Sequence, residues 1–115
     1  MPEVNEIKIE KRDAVTIMHI EGDVTAFSEP YLNEAYQTAS SQGAGRILLK
    51  FSPDAYINSG GIAVLIQVLA RTQKNKQQIG ITGISDHFKK IFNMVGITKF
   101  AKIYDSLEDA LKKMS

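Results

Sequence analysis

After an opening pair of strand-like segments, the sequence alternates strand and helix patterns without a break, and that alternation narrows the architecture more than any other feature. "RILLKFS" (46–52), "IGITGI" (79–84) and "AKIYD" (101–105) read as strands. Each is followed by a stretch whose apolar residues recur at helical spacing. Strands joined through a helix run parallel, and their crossovers are right-handed. The order β-β-α-β-α-β-α-β-α therefore predicts an α/β fold: a mostly parallel mixed sheet of four to five strands, with about four helices mainly on one side.

The individual elements follow from local chemistry. "IKIEK" (7–11) and "AVTIMHI" (14–20) form the opening pair, joined by the tight connection "RDA". After the loop "EGDVTAF", Ser28 is placed to cap a helix with Pro30 in its first turn and Leu32, Ala35, Tyr36 and Ala39 on one face. In "RILLKFS", Ile47, Leu49 and Phe51 share one face while Leu48 lies on the other, so both faces should be covered. A helix running to about Thr72 precedes the solvated run "QKNKQQ". Ser85 caps "DHFKKIFNMV", whose Phe88, Ile91, Phe92 and Val95 make an apolar stripe, and Gly96 stops it. Ser106 with Asp109 opens a last helix that turns Leu107, Ala110, Leu111 and Met114 inward.

Composition excludes several classes of function. At 115 residues the chain is read as one domain over 1–115. A net charge of +1 gives no reason to expect nucleic acid as a partner, and no apolar run approaches the length of a membrane span. The polar start "MPEVNEIKIEK" is not the pattern of a signal peptide, so a cytoplasmic location is expected. The absence of cysteine removes disulfides, thiolate catalysis and cysteine-based zinc sites. Asp23 and Asp54 are isolated carboxylates, so no metal site and no cofactor is expected.

The junction "YINSGGIAVLI" (56–66), where a strand gives way to a helix, is where chemistry could reside. It lacks the Gly-x-Ser-x-Gly of a nucleophile elbow, because Ile57 stands two residues before Ser59. His19 sits inside a strand and His87 in the first turn of an amphipathic helix, so neither is placed to serve as a base, and no enzyme is expected. Nor is there the longer glycine-rich run ending in Lys-Ser/Thr that would cradle a nucleotide phosphate. What remains is Ser59 as a helix cap. Gly60 and Gly61 would leave its hydroxyl uncrowded, and a phosphate added there would sit at the positive end of the helix. Ile62, Leu65, Ile66 and Leu69 can face the sheet, leaving Ala63, Val64 and Val68 as an apolar flank for a partner to cover.

These residues resemble a known family. "YINSGGIAVLI" is similar to the Asp-Ser-Ser/Thr-Gly-Leu-Gly-x-Leu-Leu signature of STAS domains, best known from bacterial anti-sigma factor antagonists. "IEGDVTAFS" resembles the family's Gly-Asp/Glu-Leu-Asp loop, "RILLKFS" its third strand, and "IFNMVGITKFAKIYDSLEDAL" its closing helix–strand–helix pattern. The resemblance covers essentially the whole chain. It implies the STAS fold and a partner-switching role as an anti-anti-sigma factor. The unmodified domain would bind an anti-sigma factor that is also a GHKL-type serine kinase, and so free a sigma factor. Phosphorylation at Ser59 would reverse this, and a PP2C-type phosphatase would reset it. The partner-binding surface implied comprises Asp23, Thr25, Asn58, Ser59, Gly60, Gly61, Ala63, Val64 and Val68. Asn58 replaces the signature aspartate, Gly60 the second Ser/Thr, and Thr25 the second acid of the "GD" loop, so the acidic mouth is thinned. The same family also supplies regulatory or ligand-binding modules of transporters and components of stress-sensing scaffolds, a second reading without a phospho-switch.

Overall fold

The computed structural model describes residues 5–114. Residues 1–4 and Ser115, included in the expectations for a single domain and for the polar N-terminal segment, lie outside the described residues. The first two strands, β1 (Glu6–Arg12) and β2 (Val15–Glu21), form an antiparallel hairpin. Asp13 turns the chain with φ +53°, a left-handed conformation that Asp tolerates better than most residues. From there the chain alternates as expected: α1 (Glu29–Ser41), β3 (Arg46–Phe51), α2 (Ser59–Lys74), β4 (Gln78–Thr82), α3 (Asp86–Met94), β5 (Lys102–Ile103) and α4 (Leu107–Met114). The five strands lie in the order β1-β2-β3-β4-β5, and every pair after the first is parallel. β3 is thus the central strand.

Period-two alternation sorts the strand residues onto two faces. Met18, Ile20, Ile47, Leu49, Phe51, Ile79 and Ile81 form one buried cluster with the apolar sides of α1, α2 and α3. Val15, Ile17 and Leu48 face the other way, into a smaller cluster with Tyr104, Ala110 and Met114. The helices therefore lie mainly on one side, as the sequence implies, and Leu48 is covered because α4 crosses the second face. α4 packs mainly against β4 and β3. On the same face, β1 and the far end of β2 carry charged groups, where Glu10 Oε1 accepts from His19 Nε2 at 2.8 Å and Glu10 Oε2 accepts from Arg12 Nε at 2.7 Å.

Most helix ends follow the sequence reading. Ser85 Oγ accepts the Phe88 N–H at 3.3 Å, and Ser106 Oγ accepts the Asp109 N–H at 3.0 Å. Gly96 takes φ +87° just past α3, the left-handed turn that ends a helix most cheaply with glycine. Two expectations need correction. Ser28 makes no side-chain cap to α1, because its hydroxyl is engaged by the backbone of the preceding 3-10 turn. Val95 is exposed and does not join the apolar stripe of α3: the helix ends at Met94, so Val95 falls past its last full turn.

Candidate functional site

The carboxyl ends of β2 and β3, lying side by side, set the geometry of the site. Beyond Glu21 and Phe51 the two strands stop pairing regularly, yet the loops that follow stay zipped together. Val24 N–H donates to Tyr56 C=O at 2.9 Å, and Asn58 N–H donates to Val24 C=O at 3.2 Å, giving an isolated parallel bridge between Val24 and Ile57. Asp23 Oδ1 accepts the Tyr56 N–H at 2.9 Å. Asp23 therefore acts as a clamp between the loops.

The 3-10 turn Ala26–Ser28 is built by Thr25. Its Oγ1 accepts the Phe27 N–H at 3.1 Å, and its own N–H donates to Ser28 Oγ at 2.9 Å, a reciprocal capping pair. Thr25 thus holds the turn in shape.

The start of α2 differs from the sequence expectation by one residue. Asn58 is the N-cap: its backbone is extended, and its Oδ1 accepts the Gly61 N–H at 2.8 Å. Asparagine and serine are comparably good caps, so "NS" leaves the choice open until the parallel bridge fixes Asn58 in an extended conformation. Ser59 becomes the first helical residue. It is exposed, and among the described residues its hydroxyl has no hydrogen-bond partner. Ser59 and Gly60 occupy the first two helical positions, where backbone N–H groups have no partner within the helix.

The two glycines do more than clear space around the hydroxyl. A Cβ on Gly61 would stand 2.1 Å from Val24 O and 2.6 Å from Val24 C, so only glycine lets α2 begin against the backbone of the neighbouring loop. A Cβ on Gly60 would meet Ala26 N at 3.0 Å, a close but much milder contact.

The apolar flank is also phased differently. Val64 and Val68 are 4% and 1% exposed and belong to the core with Leu65 and Leu69. They cannot contact a partner. Ala63 is exposed as expected, and its neighbours at the surface are Ile62 and Ile66, both half-buried. In a helix apolar on nearly every side, spacing alone does not define which stripe faces the sheet. Each of the four buried aliphatics contributes about 1.5–3 kcal/mol of burial, and the tightly seated Gly61 sets the rotation that brings them inward.

Two exposed aromatic residues complete the surface, and the sequence reading did not single them out. Phe27, in the 3-10 turn, is 63% exposed, and Tyr56, in the loop before α2, is 60% exposed. Tyr56 stands edge-on to Phe88 at 5.9 Å, which fixes its ring without hiding it. Their signal was available: each is a large apolar side chain in a loop after a strand, where burial is not expected.

Residues 6–110 match the STAS domain family. The chain belongs to that family. Among curated proteins, this STAS domain is similar to the anti-sigma-B factor antagonist of Staphylococcus aureus (strain NCTC 8325 / PS 47), at 20% identity over 89% of this chain and 94% of the relative. Solved structures share its fold. An anti-sigma factor antagonist from Mycobacterium paratuberculosis superposes with a TM-score of 0.79 at 18% identity, covering 96% of this chain and 93% of that one. The Bacillus cell fate determinant SpoIIAA in its phosphorylated form superposes with a TM-score of 0.68 at 14% identity, covering 96% and 100%.

The two histidines of the STAS domain lie apart from Ser59 in the fold. His19 is bound to Glu10 on the sheet face opposite α2, and His87 is exposed beside Phe88. Among the described residues no group of three or more His, Cys, Asp and Glu side chains could hold a metal ion, and no helix is long and apolar enough to cross a membrane.

Proposed function

We propose that this STAS domain is an anti-sigma factor antagonist that docks on its partner through the platform around Ser59, and that phosphorylation of Ser59 releases the partner. The observation that carries the proposal is the exposed, unpartnered Ser59 hydroxyl at the first position of α2, with Asn58 already serving as the cap. A phosphate there would find the uncapped N–H groups of the first turn and the positive end of the helix, so modification does not strain the fold. The names of the similar proteins support the same role: one is an anti-sigma-B factor antagonist, and SpoIIAA was solved phosphorylated.

The physics of release is desolvation. In the unmodified domain, Phe27 and Tyr56 in the two loops and Ile62, Ala63 and Ile66 along α2 leave apolar surface on the elements that carry Ser59, which a partner can cover. A phosphate dianion buried against such a surface without a paired cation is costly, and a loss of about 3 kcal/mol corresponds to roughly a hundredfold in affinity. In this reading a GHKL-type kinase that doubles as the anti-sigma factor adds the phosphate, and a PP2C-type phosphatase removes it.

Calorimetric titration against the cognate anti-sigma factor tests the proposal. Ser59→Ala should bind like the unmodified protein, and Ser59→Glu should bind roughly a hundredfold more weakly. Because Asn58 holds the cap, both variants should melt close to the parent. Equal affinities for all three proteins would refute the switch.

A further inference from the structure

We infer that the outer edge of β1 is a self-complementary interface through which two copies of this chain form a symmetric dimer, extending the sheet across the seam. The inference does not rest on the role proposed for Ser59. β1 is an edge strand of seven residues, paired on one side only among the described residues. Such an edge is a template for another strand.

The sequence of that edge, "EIKIEKR", reads as its own complement when laid antiparallel to itself about Ile9. In that register Glu6 opposes Arg12 of the second copy, Lys8 opposes Glu10, and Ile9 opposes Ile9. By two-fold symmetry each charged pair occurs twice. Side chains directly opposite one another on antiparallel strands stand close enough to interact, and like charges there are destabilising. Shifting the second strand by two residues in either direction would set Lys8 against Lys8 or Glu10 against Glu10. The charges thus favour the register about Ile9, which also pairs all seven residues, over its neighbours on either side.

The two faces of the seam agree with this pairing. Glu6, Lys8, Glu10 and Arg12 register with Glu21, His19, Ile17 and Val15 and so lie on the α4 face, which α4 itself leaves open over this part of the sheet. The Arg12 guanidinium and the His19 ring hold the Glu10 carboxyl below its usual range, so it presents a negative charge at neutral pH. On the other face Ile7 and Ile9 are only half-buried, and a groove of about 210 Å³ between β1 and α1 is lined by them with Tyr31, Glu34 and Ala35. Lys11 of the second copy, opposite Ile7, would lay its aliphatic stem over this groove and bring its ammonium toward the exposed Glu34 carboxylate.

One strand pairing is small beside the roughly 1,200–2,000 Å² buried by stable complexes, so the dimer should be weak and dependent on concentration. Sedimentation velocity over a concentration series should show it, and raising the salt to about 1 M should weaken it through screening. Glu6→Arg and Arg12→Glu each place like charges opposite at both ends of the seam, and each should raise the dimer dissociation constant about tenfold. Mixed in equal amounts, the two variants are complementary again and should form a heterodimer of near-native strength. Circular dichroism of each variant controls for folding. A protein that stays monomeric throughout the concentration series would overturn the inference. So would dimerisation that both variants leave unchanged, or a mixture that fails to recover it.

Discussion

Replacing Gly61 with alanine adds one methyl group where the start of α2 meets the backbone of the neighbouring loop, and its effect can be worked out from the contacts there. The new Cβ would lie 2.1 Å from Val24 O, more than an ångström inside ordinary contact distance, and the obstacle is backbone. The start of α2 and the loop at Val24 must separate to accept it. Three hydrogen bonds join the two loops and stand to be lengthened or lost: Val24 N–H to Tyr56 C=O, Asn58 N–H to Val24 C=O, and Tyr56 N–H to Asp23 Oδ1. Overpacking of this kind costs typically 1–3 kcal/mol, and each hydrogen bond about 1 kcal/mol net. Helix propensity returns at most about 1 kcal/mol for Gly→Ala. The expected loss is therefore about 3 kcal/mol, which for a domain of this size lowers Tm by roughly 10–15 °C. Gly60→Ala is the control, because its Cβ meets Ala26 at 3.0 Å and 3.1 Å, where a few tenths of an ångström of adjustment suffice. Its cost should nearly cancel against the propensity gain. Thermal unfolding by circular dichroism and urea titration of both variants give the measurement. A Gly61→Ala protein within about 0.5 kcal/mol of the parent would refute the claim that backbone contact, and not freedom around Ser59, requires this glycine.

Asn58→Ala should cost about 1 kcal/mol through loss of the cap, while Asn58→Asp should keep the cap and hold stability at or slightly above the parent; urea midpoints decide, and equal stability of all three would remove Asn58 from the cap. Phe27→Ala and Tyr56→Ala should each weaken partner binding about tenfold or more while leaving Tm within a few degrees, as expected of exposed aromatic contacts at an interface; titration against the anti-sigma factor, with unfolding run in parallel, checks both, and unchanged affinity would place the docking surface elsewhere.

The alternation of elements was legible because each helix and strand had its own period, and because both faces of β3 were apolar, which only a covered central strand requires. The start of α2 was legible to within one residue: Ser59 was read as its cap, but Asn58 is the cap, since both are good capping residues and only the bridge between Val24 and Ile57 separates them. The phase of α2 failed for a related reason: Ile62, Val64, Leu65, Ile66, Val68 and Leu69 encircle the helix, and contact with a residue far away in sequence, Val24, sets its rotation. Thr25 and Asp23 were named as surface groups. Their hydrogen bonds to Phe27 and Tyr56 show that they also hold the loops in place, a role that depends on which backbone groups the fold leaves unpaired.

The bridge between Val24 and Ile57 has a consequence for when in the life of the chain this surface exists. Its two halves come from segments separated by a full helix and strand, and they meet only after β2 and β3 have paired in parallel, a slow and non-local event. A nascent chain, or one that has lost the central sheet, still carries the sequence around Ser59 but offers no platform. A partner that touches both loops therefore distinguishes finished molecules from unfinished ones, and a regulatory circuit built on that contact would count only folded copies.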